Sequence, residues 1–325
     1  MKQVKTLSIF FALLSVITSC QDSPKLNITL LSDQIPTVIP TIFGEGIIST
    51  DDYNEGSLVF NTDMSELYFN RAKPEEGYKH NIYTMKLIDG AWSEPVLAPF
   101  STNKEHKDVH PRISSNGDRI YFGSARPLND SSKSSGLHQW YVEKNNGVWE
   151  APKLLLPELF DNEWIMCVSP ATNGNLYFTS KEKEDKMKNE ANYYAINTNG
   201  RYDSIARMAE TVNVSGKWRA HPYIAPDESY IIFDAETTDI PENGDLFISF
   251  NNNGTWSKAR SLGPNINTEI SESGATVSPD GKYLFFSRTE EKDNEKGGTY
   301  WKSDLYWVDF IALKKELLEH KSSND

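Results

Sequence analysis

Short runs of consecutive apolar residues recur along the chain. Leu67-Tyr68-Phe69, Ile120-Tyr121-Phe122, Leu176-Tyr177-Phe178, Ile231-Ile232-Phe233 and Leu284-Phe285-Phe286 each close on a phenylalanine, and these are spaced 53, 56, 55 and 53 residues apart. Each run follows a cluster of turn formers, from Asn61-Thr62-Asp63 in the first to Ser278-Pro279-Asp280-Gly281 in the last. Proline presets φ, and glycine and asparagine tolerate positive φ, so these clusters predict tight turns between strands. A second mark follows: Gly90-Ala91-Trp92, Gly147-Val148-Trp149, Gly200-Arg201-Tyr202 and Gly254-Thr255-Trp256. It predicts another hairpin turn with an aromatic residue entering a strand.

Each repeat therefore reads as four short strands. The first is of the type Gly274-Ala275-Thr276-Val277 and the second is the run ending on phenylalanine. Asn81 to Met85 or Asp304 to Val308 exemplify the third, and the segment after Gly-x-Trp, such as Trp256 to Leu262, is the fourth. The second strands are apolar on successive residues, which requires both faces to be covered. A β-propeller meets that requirement, because every blade packs between two others. The expected fold is all-β: one propeller of five four-stranded blades over residues 39–309, with six blades as the alternative. The fifth repeat ends after its third strand. Ile42 to Thr50 precedes Glu55 much as Ser261 to Thr268 precedes Glu272, so an N-terminal strand is expected to complete the last blade and remove two exposed edges. Residues 310–325 read as a short helix and tail, because Ala, Leu, Lys and Glu favour helix.

The segment Val277-Ser278-Pro279-Asp280-Gly281-Lys282-Tyr283-Leu284-Phe285-Phe286-Ser287-Arg288 resembles the signature of the TolB-like, WD-type β-propeller repeat. Trp92-Ser93-Glu94-Pro95-Val96 and Leu262-Gly263-Pro264-Asn265-Ile266-Asn267-Thr268 are similar to further parts of that repeat. The resemblance covers about residues 39 to 309 and implies a fold. For function it implies only a class of binding and scaffold proteins, some of which read a partner's peptide.

The N-terminus changes the picture. Met1 to Lys5 is short and positive, and Leu7 to Ile17 is uncharged and apolar but too short to span a bilayer. Ile17-Thr18-Ser19-Cys20 resembles the bacterial lipoprotein processing site, which implies cleavage before Cys20 and lipid on its thiol. Residues 1–19 are then a signal peptide and 20–38 a lipidated tether. Gln21 permits outer-membrane sorting, and the expected location is the cell envelope, with the membrane as a partner through the lipid. Asp203-Ser204-Ile205 matches a three-residue O-glycosylation pattern of some Bacteroidota. The only other cysteine is Cys167, in the run Trp164-Ile165-Met166-Cys167-Val168. It reads as a small buried hydrophobe, so no disulfide is expected. The chain carries a net charge of −13, which becomes −15 once Lys2 and Lys5 leave with the signal peptide. That excess of acid disfavours nucleic acid as a partner.

Candidate chemistry comes from counting back along the repeats. The positions fourteen before each phenylalanine are Glu55, Asp108, Trp164, Arg219 and Glu272, and those twelve before are Ser57, His110, Met166, His221 and Gly274. After the second strand come Arg71, Arg126, Lys181, Glu236 and Arg288. In propellers of the resembled type the first strand lines the central channel. Glu55, Arg71, Asp108, His110, Arg126, His221, Glu272 and Arg288 are therefore the expected ligand-binding set at one channel mouth. The ligand class is an envelope protein or a glycan. Glu55 and Glu272 also qualify as a glycosidase-like carboxylate pair, the alternative reading. His110 and His221 lack a third zinc ligand at metal-site spacing, so no metal and no cofactor is expected. Ser249 to Trp256 resembles the Asp-box of sialidases but has Asn251 and Asn253 where that motif has Asp and Gly. It reads as a hairpin.

Overall fold

In the computed structural model, residues 27–319 are described except 33, 75–78, 102–105, 129–135, 156–163, 183–188, 215–216, 237–243 and 294–297. Five antiparallel sheets follow one another along the chain, each meandering outward from its innermost strand, and together they form a five-bladed β-propeller. The innermost strands are Asn54–Phe60, Asp108–Ile113, Ile165–Pro170, Lys217–Ile224 and Ser271–Val277. The second strands are Glu66–Ala72, Arg119–Ser124, Leu176–Ser180, Tyr230–Glu236 and Tyr283–Asp293. Phe69, Phe122, Phe178, Phe233 and Phe286 are all fully buried, as continuous apolar runs between blades require.

The Gly-x-aromatic marks are two-residue hairpin turns. Asp89-Gly90, Asn146-Gly147, Asn199-Gly200 and Asn253-Gly254 all take positive φ at both residues, the turn whose twist matches antiparallel strands. The outer strand that follows is interrupted in three blades. Ala91–Trp92, Val148–Trp149 and Thr255–Trp256 pair first, and Val96–Leu97, Lys153–Leu154 and Arg260–Ser261 pair again further along.

The last blade is completed from the N-terminus. Thr41–Ile42 pairs antiparallel with the strand Thr299–Asp309, Thr41 against Trp307 and Ile42 against Tyr306. Phe43 follows, fully buried against Phe285 and Trp307. An α-helix, Phe310–Glu319, the only one among the described residues, caps the fifth blade through buried Phe310 and Leu313. Part of the segment expected as a tether packs against the propeller. Asn27–Leu31 forms a 3-10 turn whose Ile28 and Leu31 are buried with Phe43, Leu58 and Trp307. Two apolar side chains a turn apart find the space beside the closing strand. Cys20 and the signal peptide lie outside the described residues. No helix among the described residues is long and apolar enough to cross a membrane.

Candidate functional site at the propeller axis

Every innermost strand slips register against its neighbour at an equivalent point, where one residue has positive φ; the blade 4 strand slips once more, earlier, at Trp218. The residues at the equivalent point are Ser57, His110, Cys167, His221 and Gly274. A bulge with a left-handed residue re-aims a side chain. Because all five blades use it, the bulge belongs to the ring itself, and only the side chains placed on it differ. Cys167, not Met166, is the blade 3 member. Its hairpin joins Pro170 to Leu176 with five residues between them, one fewer than between Phe60 and Leu67, so counting back from Phe178 overshoots by one.

The amides of three of these bulges are held by the blade before. His110 N donates to Asn70 Oδ1, His221 N to Thr179 Oγ1 and Gly274 N to Asp234 Oδ1, each at 3.1 Å. Asn70, Thr179 and Asp234 each directly follow the phenylalanine of their repeat. That polar position was a visible signal in the sequence, and it identifies Asp234, which counting toward the first strand misses.

His110 and His221 come from blades two apart and meet with ring centroids 4.5 Å from each other. Ser57 Oγ lies 3.1 Å from His110 Nδ1, and His221 Nδ1 lies 3.0 Å from both oxygens of buried Asp234. A carboxylate so placed sets the proton on Nδ1 and orients the ring. Burial, reinforced by the charges of His221 and Arg112, holds His110 well below the usual imidazole range, so it stays neutral. Ser57, His110 and His221 wall a cavity of about 340 Å³ together with Glu55, His80, Lys107, Trp218 and Trp301. His80 Nδ1 is buried there without a partner, and burial beside Lys107 lowers His80 to about 4.

The remaining candidates form a different arrangement. Arg288 Nε donates to Glu272 Oε1, and Arg288 Nη2 donates to the carbonyls of Asn265 and Ile266. Arg71 lies 3.4 Å from Glu55 and donates to the carbonyls of Ile47 and Ile48. Arg126 donates to both oxygens of Asp108 and to the Phe100 carbonyl. A hydroxyl completes each carboxylate, from Thr268, Thr50 or Ser101. In three blades the same latch thus ties the start of the innermost strand to the segment leading in from the blade before. In blades 3 and 4 Ile165 and Arg219 stand at the carboxylate's place, and Arg219 donates to the Val214 and Glu190 carbonyls. Of the eight residues, the structure brings His110, His221 and Glu55 to one cavity wall and pairs Arg71, Asp108, Arg126, Glu272 and Arg288 inside blades. Among the described residues no three His, Cys, Asp or Glu side chains converge as metal ligands.

No protein-family model and no curated protein sequence matches this chain. Solved structures similar to it include TolB from Acinetobacter baumannii, at 14% identity and a TM-score of 0.47, with 79% of this chain and 57% of that chain covered. A xyloglucan-locus protein of Bacteroides ovatus, GH43B, matches at 12% identity and TM-score 0.46, over 79% of this chain and 52% of its own. A thermostable family-43 glycoside hydrolase matches at 16% identity and TM-score 0.45, over 79% of this chain and 91% of its own. The chain thus spans little more than half the length of the first two.

Proposed function

We propose that this protein is a lipid-anchored cell-envelope binding module whose propeller takes a small hydroxyl-rich ligand, a saccharide, at the His110–His221 end of its axis. The observation that carries this reading is the meeting of those two imidazoles across the axis, 4.5 Å apart, in the wall of a 340 Å³ cavity. A cavity of that size falls in the range of small-molecule sites, which combine apolar faces with a few placed polar groups. Trp218 and Trp301 offer flat faces for the C–H side of a sugar ring, and Ser57, Asn70 and neutral His110 offer hydrogen bonds without charge. In this reading the membrane is reached through acyl chains on Cys20, each buried methylene contributing about 0.8 kcal/mol.

The test is a calorimetric screen of the full-length chain against neutral mono- and disaccharides, repeated on the His110→Ala/His221→Ala double variant. At least one saccharide should bind, and the double variant should bind it about tenfold more weakly or worse while remaining folded. If no saccharide binds, or if binding survives the double substitution, the reading fails.

A hydrolytic alternative has one specific observation in its favour. Burial pushes the Glu55 carboxyl up to about 7, against the pull of Lys302 and Arg71, and a general acid needs such a value. Against it, Glu55 and Glu272 are both fully buried and both already bonded to an arginine and a threonine. Release of nitrophenol from nitrophenyl glycosides, lost in Glu55→Gln, would favour the enzyme.

A further inference from the structure

The far end of the axis holds a second cavity, of about 240 Å³, ringed by the hairpins that join first and second strands. Its wall is mainly apolar, with Val59, Phe60, Ile113, Tyr223 and Val277 facing it, and it shares no residue with the His110–His221 cavity. One charged side chain lines it. Arg112 is 2% exposed. Its Nη1 donates to the Pro111 carbonyl at 3.1 Å, and its Nη2 reaches the Ala275 carbonyl at the long distance of 3.5 Å. Its Nε has no partner. Ala275 belongs to blade 5 and Arg112 to blade 2, so the guanidinium crosses the axis. The charge acts on His110 and Cys167 as well as on Tyr223, consistent with a position between the two cavities.

This cation differs from the three arginines of the blade latches. Arg71, Arg126 and Arg288 each hold a carboxylate, whereas Arg112 has none within 4 Å among the described residues. A guanidinium presents five donors in a planar fork matched to carboxylate geometry. Here two are used, one of them at the limit of hydrogen bonding. A buried charge without a counter-charge is costly, and the protein around it is strongly acidic elsewhere.

We propose that this cavity is a second ligand site, taking a monocarboxylate with a short apolar body, its carboxylate on Arg112 and its body against Val59, Phe60, Ile113, Tyr223 and Val277. The single cation suits a monoanion better than a phosphate dianion. The volume equals that of roughly eight waters at ~30 Å³ each, which sets the body at about six carbons. The carboxylate comes either from a free short-chain acid or from the C-terminus of a peptide ending in an aliphatic residue.

The test is calorimetric titration of the full-length chain with hexanoate, 1-hexanol, N-acetyl-leucine and N-acetyl-leucinamide. A charge-assisted pair predicts that hexanoate or N-acetyl-leucine binds about ten- to a hundredfold more tightly than its neutral counterpart. A preference confined to hexanoate identifies the free acid, and one confined to N-acetyl-leucine identifies the peptide end. Arg112→Met should abolish the preference and leave the binding of the neutral compounds unchanged. Should Arg112→Met fail to fold, Val277→Trp keeps the cation, fills the apolar wall and should abolish binding of both acids. Acids that bind no better than their neutral counterparts, or an unchanged preference in Arg112→Met or Val277→Trp, overturn the proposal.

Discussion

Arg288 stands directly across the ladder from Glu272, and its Nε donates to Glu272 Oε1 over 3.1 Å. The same cross-strand relation holds between Arg71 and Glu55 at the start of the next blade around the ring. In both, the guanidinium also satisfies carbonyls of the chain arriving from the blade before, so one side chain ties together segments that share no strand pairing. Removing the cation leaves a fully buried carboxylate without its partner. Breaking such a pair typically costs about 3–5 kcal/mol. Arg288→Met should lower stability by about that much in urea unfolding, whereas Lys315→Met, which loses an exposed contact to Glu319 on the helix, should change nothing measurable.

Glu55 and His110 tilt stability with pH in opposite directions. The Glu55 carboxyl is raised by burial from 4.5 to about 7. Its contribution is complete below pH 4.5 and is lost as pH rises to 7. A shift of that size corresponds to about 3 kcal/mol. His110 is depressed below its ordinary 6.5 by burial, so its contribution is complete above pH 6.5 and is lost as pH falls. Urea unfolding between pH 4.5 and 8 should show the first slope vanish in Glu55→Gln and the second in His110→Asn. Parallel curves for wild type and Glu55→Gln would show that Glu55 ionises normally in the folded chain.

Ring closure depends on a two-residue strand and the phenylalanine after it. Phe43 is fully buried, 5.0 Å from Phe285 and 5.2 Å from Trp307 between ring centroids. Phe43→Ala should cost about 3–5 kcal/mol, as large buried aromatics do. Deleting residues 39–50 removes the pairing partner of Thr299–Asp309 and should produce aggregation through the exposed edge. Deleting 21–26 should be neutral in thermal melts, but extending the deletion to 34 should lower stability through loss of Ile28 and Leu31.

The two cysteines should behave differently. Cys20→Ala should move the protein from the membrane fraction to the soluble fraction and abolish acyl labelling; retained labelling would remove the lipoprotein reading. Cys167 is fully buried, and burial pushes its thiol up to about 11. Only the thiolate is nucleophilic, so Cys167 should resist iodoacetamide at neutral pH until the chain is unfolded in urea.

The turns and the blade count were legible in the sequence because each repeat carries its marks in short local runs, and the closing strand because the fifth repeat ends after its third strand while Ile42 to Thr50 precedes Glu55 as Ser261 to Thr268 precedes Glu272. Consecutive apolar residues ending at Phe69 or Phe286 demand cover on both faces, and Asn253-Gly254 or Asp89-Gly90 turns a chain wherever it stands. Counting along the repeats also located His110 and His221, but it misplaced blade 3 by one residue, since hairpin length enters the count and Ala171 to Asn175 is one residue short. The partners of the charged side chains were beyond the sequence. The pattern put arginines and carboxylates at equivalent positions without revealing that Arg71, Arg126 and Arg288 turn to carboxylates in their own blades while Arg112 reaches across to blade 5. Nor did it reveal that Asp234 holds His221, or that His221 meets His110 from two blades away. Strand patterning specifies which face a side chain leaves from. The distance it then spans is set by how tightly five blades close around a common axis, and that closure exists only in the assembled ring.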